Sequence, residues 1–526
     1  MPRPAPSPLG APPLPARRRV WWQPVLLGGL LLGNSGCQAS DQLPLQWPVA
    51  PPPALRSEDP VLWVALAARL GPAAPGAGDA APLVLRAADG PLTLEDGSGQ
   101  TITAPELTLH WGWTPLPQPF QLRRRVLGPF ASYESAEAAA RPWAAAGHHP
   151  VIARPTDWEV WAPADAPDPP GRAAKLVERT ADRRLHLELR RPQGTLVVQA
   201  PVRLKAPGGL RWRNGLYRGP FRLLPDAHGG WSLLEEVPLE RYLEGVVPHE
   251  IGAGSPPAAL AAQAVLARTW AVRNRARYQA DGYHLCADTQ CQVYSDPGLA
   301  SPAVRQAIAG SSGQVLALGD QPIHAVYHAS NGGVAAGLEE AWSVDPVPYL
   351  RPFADGLPAF QARTPLPISS KTLPALIRHG QGAYGADHPL FRWQRTLTAA
   401  GLTSALGARG LSVGAPRSLK VLERGASGRV VALEIMGSKS SVVLRRDSIR
   451  RALRQLPSTL FTVSHPRPDT WVLQGGGFGH GAGLSQAGAI DLARRGWAMD
   501  TILKHYYPGA SLQPLDALPL AVGGGG

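Results

Sequence analysis

Proline and glycine punctuate this chain so densely, at 57 each in 526 residues, that modest cores separated by long loops and linkers are expected. The longest predicted element is a helix over 258–278. Ser255 is a suitable N-cap, and Pro256 and Pro257 fit a first helical turn. Leu260, Ala264, Ala267 and Ala271 recur at helical spacing and form a narrow stripe of small residues suited to close packing. Arg268, Arg273, Arg275 and Arg277 load the later turns, where the helix dipole favours cations.

The chain is too long for one ordinary domain, and its length predicts two to four folded units. Apolar residues at 44% and charged residues at 17% make it globular rather than disordered. The net charge of +13 comes almost wholly from arginine and suits a polyanionic partner. No run of clustered arginines interleaved with aromatics occurs, which argues against nucleic acid. Arg17, Arg18 and Arg19 precede an apolar stretch over 20–33 and then small residues up to Cys37, the marks of a secretory signal. The stretch is short for a stable membrane span. Export to the periplasm or cell envelope is therefore expected, with membrane attachment through that signal or through a lipid on Cys37. Asn34 stands where lipoprotein signals usually carry an aliphatic residue. Of three cysteines only Cys286 and Cys291 remain as a pair, so cores rather than a disulfide framework must hold the fold.

The expected order is a signal at 1–37, a proline-rich linker at 38–60 and a small β-rich region at 61–117. Residues 118–165 read as strand, helix, strand, strand, with Ser132 and Glu134 opening an alanine-rich helix. This unit, with its Gly128-Pro129-Phe130 turn, resembles a SPOR domain, a module that binds glycan strands stripped of stem peptides. A second linker is expected at 166–184, a strand-rich domain from 185 to 512, and a flexible tail at 513–526.

Within that last domain a short helix, 239–243, is expected to break at Gly245 and turn at Pro248 to present Glu250 on irregular backbone ahead of the long helix, where catalytic groups commonly sit. An acid before a helix is also a plain electrostatic cap. His284, Cys286, Gln290 and Cys291 follow. Next come Tyr327-His328-Ala329-Ser330-Asn331-Gly332-Gly333 and then a glycine-rich run that carries His480, Ser485 and Gln486. Helices are expected from Ser485 to Arg495 and again from Asp500. The glycine run lacks the strand-to-helix spacing and later acid of a dinucleotide site. No Asp is placed to complete a Ser-His triad around His328 and Ser330.

Together these blocks resemble the SpoIID/LytB family, named for stage II sporulation protein D and an amidase enhancer. They are the Val-Pro-Leu-Glu entry at 237–240, the Val-x-Pro-x-Glu turn ending at Glu250, the Ala-Gln-Ala-Val helix at 262–269, and the Cys-Gln-Val-Tyr segment at 291–294. The His-x-Ser-x-Gly-Gly loop and the Gly-His-Gly block, with its Tyr-Tyr-Pro-Gly tail, complete the set. The resemblance implies an α+β fold: a mixed-sheet domain around the long helix, a β-rich insertion near 355–470, and the small SPOR-like module before it.

It also implies a peptidoglycan lytic transglycosylase acting on peptide-free glycan in wall remodelling, with Glu250 as acid/base. The alternatives are a non-catalytic glycan-binding protein that recruits or stimulates an N-acetylmuramoyl-L-alanine amidase, and a wall-anchored scaffold. His328, Ser330, His480, Ser485 and Gln486 are expected to line the cleft and contact substrate; a tight glycine-rich packing corner is the alternative for His480. Trp270, Tyr327 and Trp342 are candidates for stacking on sugars. No cofactor is required. Family members that carry zinc hold it with Cys, His and Cys in the 286–291 segment, but here Gln290 stands where the His is expected. His284 or His328 is then the substitute ligand, and a Cys286–Cys291 disulfide is the other reading.

Overall fold

The computed structural model describes residues 43–78 and 80–520. The expected signal at 1–37, with Cys37, lies outside the described residues. Among those described, no helix is long and apolar enough to cross a membrane.

The fold is α+β, built on two large sheets. Val61–Leu70 pairs antiparallel with Trp231–Pro238 on one side and parallel with Leu285–Cys286 on the other. The seven-stranded sheet continues through Phe221–Pro225, Val202–Lys205, Leu92–Glu95 and Thr101–Ala104. In the second sheet the 25-residue strand Glu106–Phe130 pairs with Leu83–Ala87, Trp158–Pro163 and Lys175–Arg191. Strands from the expected β-rich region, SPOR-like module and strand-rich domain therefore share sheets. The contributors to each sheet are far apart in sequence, so no boundary at 117 or 184 separates independent cores.

The strand–helix–strand–strand order predicted at 118–165 is present, with its helix at Tyr133–Ala145 and Ser132 as the N-cap accepting from Ser135 N–H. Its apolar face packs on Leu234, Tyr278 and Tyr283. It is thus a wall of the main body. The expected linker at 166–184 is largely strand, within Lys175–Arg191. The proline-rich stretch is irregular but docked. Trp47 stacks on Phe120 at 4.4 Å, the Gln46 side chain donates to Ala280 O, and Leu55 is buried. The described part of the expected tail, up to residue 520, is tied down: Ser511–Pro514 pairs with Gln314–Leu318, and Leu515 and Leu518 are buried.

The long helix runs from Pro257 to Arg273, shorter than predicted. It stops at Asn274, whose side chain folds back to donate to Trp270 O at 2.9 Å. Ser255 is not its cap; its hydroxyl donates to Ile251 O. The helix is buried nearly all round rather than along one stripe, as befits a central element. Helices Leu239–Val247, Pro302–Gly310, Gln486–Arg494 and Met499–Tyr506 pack on it. Arg268 is wholly buried and paired bidentately with Glu240 at 2.6 and 2.7 Å, so it serves as an internal anchor. The insertion forms two three-stranded sheets around a separate core that includes Trp393, Leu433, Phe461 and Trp471.

Candidate functional site

The helix expected to break at Gly245 continues through it to Val247, and a five-residue π turn, Pro248–Gly252, follows. Such wide turns leave backbone groups out of the usual helical ladder and re-aim side chains. Gly245 is required for another reason. A Cβ there would lie 2.5 Å from Ser295 O and from the Tyr294 ring, so the absence of a side chain lets the 291–295 segment press against the helix.

That contact brings the Cys-Gln-Val-Tyr segment onto Glu250. Val293 N–H donates to Glu250 Oε1 at 3.0 Å. Gln292 is buried; its amide donates to the Tyr327 hydroxyl at 2.8 Å and its carbonyl accepts from Tyr242 at 3.3 Å. Burial pushes the Glu250 carboxyl above its ordinary range, while the Val293 N–H and the Tyr327 hydroxyl favour the charged form and oppose that shift. Burial outweighs these two donors.

Glu250 lies where two clefts meet. The first, of about 490 Å³, is walled by Trp270, Tyr327 and Trp342, by Ser132 and Glu134 of the N-terminal unit, and by arginines of the insertion. The second, of about 320 Å³, has Gln486, Ala329, His388 and Arg494 in its walls. Of the residues predicted to contact substrate, Gln486 lines the second cleft and His480 the first. Both His480 nitrogens are engaged, Nε2 with Tyr327 O at 2.8 Å and Nδ1 accepting from Ala482 N–H at 3.2 Å. Burial and nearby arginines hold its pKa down to about 3, so it is a neutral, fixed ring tilted against Trp342 at 4.7 Å between centroids.

His328, Ser330 and Ser485 are interior and line neither cleft. Tyr327-His328 pairs with Leu484-Ser485 as parallel strands, Ser330 bridges Phe478, and Ser485 caps its helix. The contact role expected for these three becomes a structural one, because the glycine-rich loops close on each other rather than on an open cleft.

Cys286 and Cys291 form a disulfide. His284 Nδ1 accepts from Trp63 N–H at 2.8 Å and its Nε2 is 3.0 Å from Pro53 O. Burial lowers its pKa to about 4. Sulfurs bonded to each other and a histidine with both nitrogens engaged do not make a zinc ligand set. Among the described residues no group of three or more His, Cys, Asp or Glu is placed to hold a metal ion. Gln290, at the position of the family's His, instead accepts from the Trp158 indole at 3.3 Å and ties the loop to the N-terminal unit.

Residues 227–318, from the strand before Glu250 through the central helix and the disulfide loop, match the family described as Stage II sporulation protein. Stage II sporulation protein D of Bacillus subtilis is 28% identical over 299 residues, 54% of this chain and 77% of that protein. The chain resembles the SpoIID/LytB family. The Bacillus amyloliquefaciens protein of the same name is 29% identical over 307 residues, 54% of this chain and 76% of its own. The amidase enhancer of Bacillus subtilis is 26% identical over 303 residues, 51% of this chain and 40% of its own. A domain of unknown function (DUF8618) matches residues 336–483, which include the insertion. Within this SpoIID/LytB frame, sequence reasoning missed Val293, Gln292 and the insertion arginines. Gln292, a polar residue inside the family's Cys-Gln-Val-Tyr segment, was the available signal for the first two.

Proposed function

We propose that this SpoIID/LytB-like chain is a cell-wall protein of the envelope that cleaves peptide-free peptidoglycan glycan as a lytic transglycosylase, with Glu250 as its acid/base. The observation that carries the reading is a carboxyl with a raised pKa at the junction of two clefts. A general acid at neutral pH needs that environment. The protonated Glu250 donates its proton to the leaving oxygen of the β-1,4 bond between N-acetylmuramic acid and N-acetylglucosamine. The resulting carboxylate, held by Val293 N–H and Tyr327, then takes the proton of the sugar's C6 hydroxyl as that oxygen closes the 1,6-anhydro ring. The nucleophile is internal, so the second carboxylate of an ordinary glycosidase is unnecessary. Trp270, Tyr327 and Trp342 supply apolar faces for sugar rings, and Gln486 supplies an amide in the opposite cleft.

Likeness to the amidase enhancer supports a second reading, in which the protein holds glycan and stimulates a wall amidase without cutting. One experiment separates them. Purified protein and its Glu250→Gln variant are incubated with amidase-stripped glycan strands, and the products are read by mass. Anhydro ends from the parent and none from the variant are expected; intact glycan from both, despite binding, would instead establish the recruiter.

A further inference from the structure

The wall that the insertion contributes to the Glu250 cleft carries positive charge that is only partly neutralised among the described residues. Arg446, Arg450, Arg451 and Arg454 come from the helix Asp447–Ala452 and its flanks, and all line the cleft. Arg451 pairs with Asp157, and across the cleft Arg277 pairs with Glu134 at 3.0 Å. The other carboxylates of the first cleft apart from Glu250 are bound to hydroxyls. Asp447 accepts from Ser132 at 2.6 Å and Ser135 at 3.2 Å, and burial raises its pKa to about 6. Glu340 accepts from the hydroxyl and N–H of Ser427, and burial raises it also.

Arg446, Arg450 and Arg454 therefore make no ion pair among the described residues. Arg446 donates only to the backbone oxygen of Glu339, at 2.7 Å. Arg450 Nε is buried with no hydrogen-bond partner, and burial depresses the guanidinium. Its charged neighbour Arg429 is of the same sign, and the neutral His480 offers no counter-charge. A half-buried guanidinium without an anion is destabilising, and such groups are normally paired. An arginine fork facing an open cleft is suited to receive a carboxylate through two parallel hydrogen bonds.

We propose that Arg450, flanked by Arg446 and Arg454, is an anion subsite for the free lactyl carboxylate of N-acetylmuramic acid in a glycan strand lying across Glu250. The inference rests on the glycan reading above and adds the residue that sets specificity. The lactyl group carries charge only when no stem peptide is attached; joined to a peptide, the same carbon is a neutral amide. Arg450 thus makes the insertion the part that senses whether the strand has been stripped. Glu250 cuts, and the insertion reads.

Binding is measured on the Glu250→Gln protein, so that cleavage does not intervene. The probes are peptide-free glycan strands and the same strands with their carboxylates converted to carboxamides. The free-acid strands are expected to bind at least about tenfold more tightly, the scale of one charge-assisted pair. Arg450→Gln in the same background should erase the preference, and Arg450→Lys should restore part of it. Added salt should weaken the preference. Thermal unfolding separates this from a packing role, because removing an unpaired charge should not lower stability. Equal binding of the two strands, or a preference that survives Arg450→Gln, overturns the inference while leaving the glycan reading intact. If neither strand binds, both the inference and the glycan reading are overturned. Should Arg450→Gln not fold, the comparison of the two strands on the parent background still decides.

Discussion

At the scale of single residues the site is a contest over one proton. Burial favours the neutral form of Glu250, and Val293 and Tyr327 favour the charged one. Its folded pKa is raised above the usual 4.5, so the folded state holds this proton to higher pH than the unfolded chain does. Stability from this group is fully present below 4.5 and is lost as pH rises through the folded value. Glu250→Gln should therefore gain thermal stability over the parent at pH 7 but little at pH 4, while glycan cleavage falls about 10²–10⁴-fold. A melting-temperature difference that is the same at both pH values would refute the buried-acid account. Tyr327→Phe removes a donor to the carboxylate, so the pKa of Glu250 should climb further. The alkaline limb of the cleavage–pH profile should then move upward, and an unmoved limb would show that Tyr327 does not touch the acid.

At the scale of elements the site depends on how closely one loop approaches one helix. Gly245→Ala improves helix propensity by about 1 kcal/mol but places a methyl group against Ser295 O and the Tyr294 ring. Overpacking of that kind costs about 1–3 kcal/mol. Net destabilisation is expected in denaturant titration, with loss of cleavage, because the segment carrying Val293 is displaced. The Cys286–Cys291 disulfide closes a short loop just before that segment. Replacing both cysteines with serine should cost about 2 kcal/mol on loop-entropy grounds. A reductant should reproduce that loss in the parent, and zinc should not restore it. Restoration by zinc would reinstate the metal reading.

At the scale of the whole molecule, sequence neighbours are not structural neighbours. Val61–Leu70 lies inside the seven-stranded sheet, between Trp231–Pro238 and Leu285–Cys286. Without it Leu285–Cys286 loses its ladder, Trp231–Pro238 keeps only one of two, and the core residues Leu62, Val64 and Leu66 are missing. A fragment covering 185–512, the domain suggested by motif spacing, should therefore fail to fold on its own; circular dichroism and limited proteolysis would detect this. A cooperative melt from that fragment would show that the N-terminal strands are dispensable. The N-terminal unit also brings Ser132 and Glu134 to the cleft, so its loss should alter glycan handling as well as stability.

The sequence by itself was enough for several local elements and for the resemblance to the SpoIID/LytB family. Ser132 opens its helix, Ser485 caps another, and the chain terminates that helix near Gly496, because capping and glycine chemistry act over a few residues. It singled out Glu250 by its Val-x-Pro-x-Glu turn. Tertiary structure alone decided the rest. Which histidines face the cleft depends on how two glycine loops from opposite ends of the domain close together, burying His328 and Ser330 and leaving His480 in a wall. Whether Glu250 is raised or lowered depends on solvent exclusion by the 291–295 segment and Tyr327. Where Arg450 lies depends on the insertion packing beside a helix more than 300 residues earlier, with Asp447 reaching Ser132. Spacing along the chain carries no record of such contacts, because burial and charge pairing are properties of surfaces that meet only after folding.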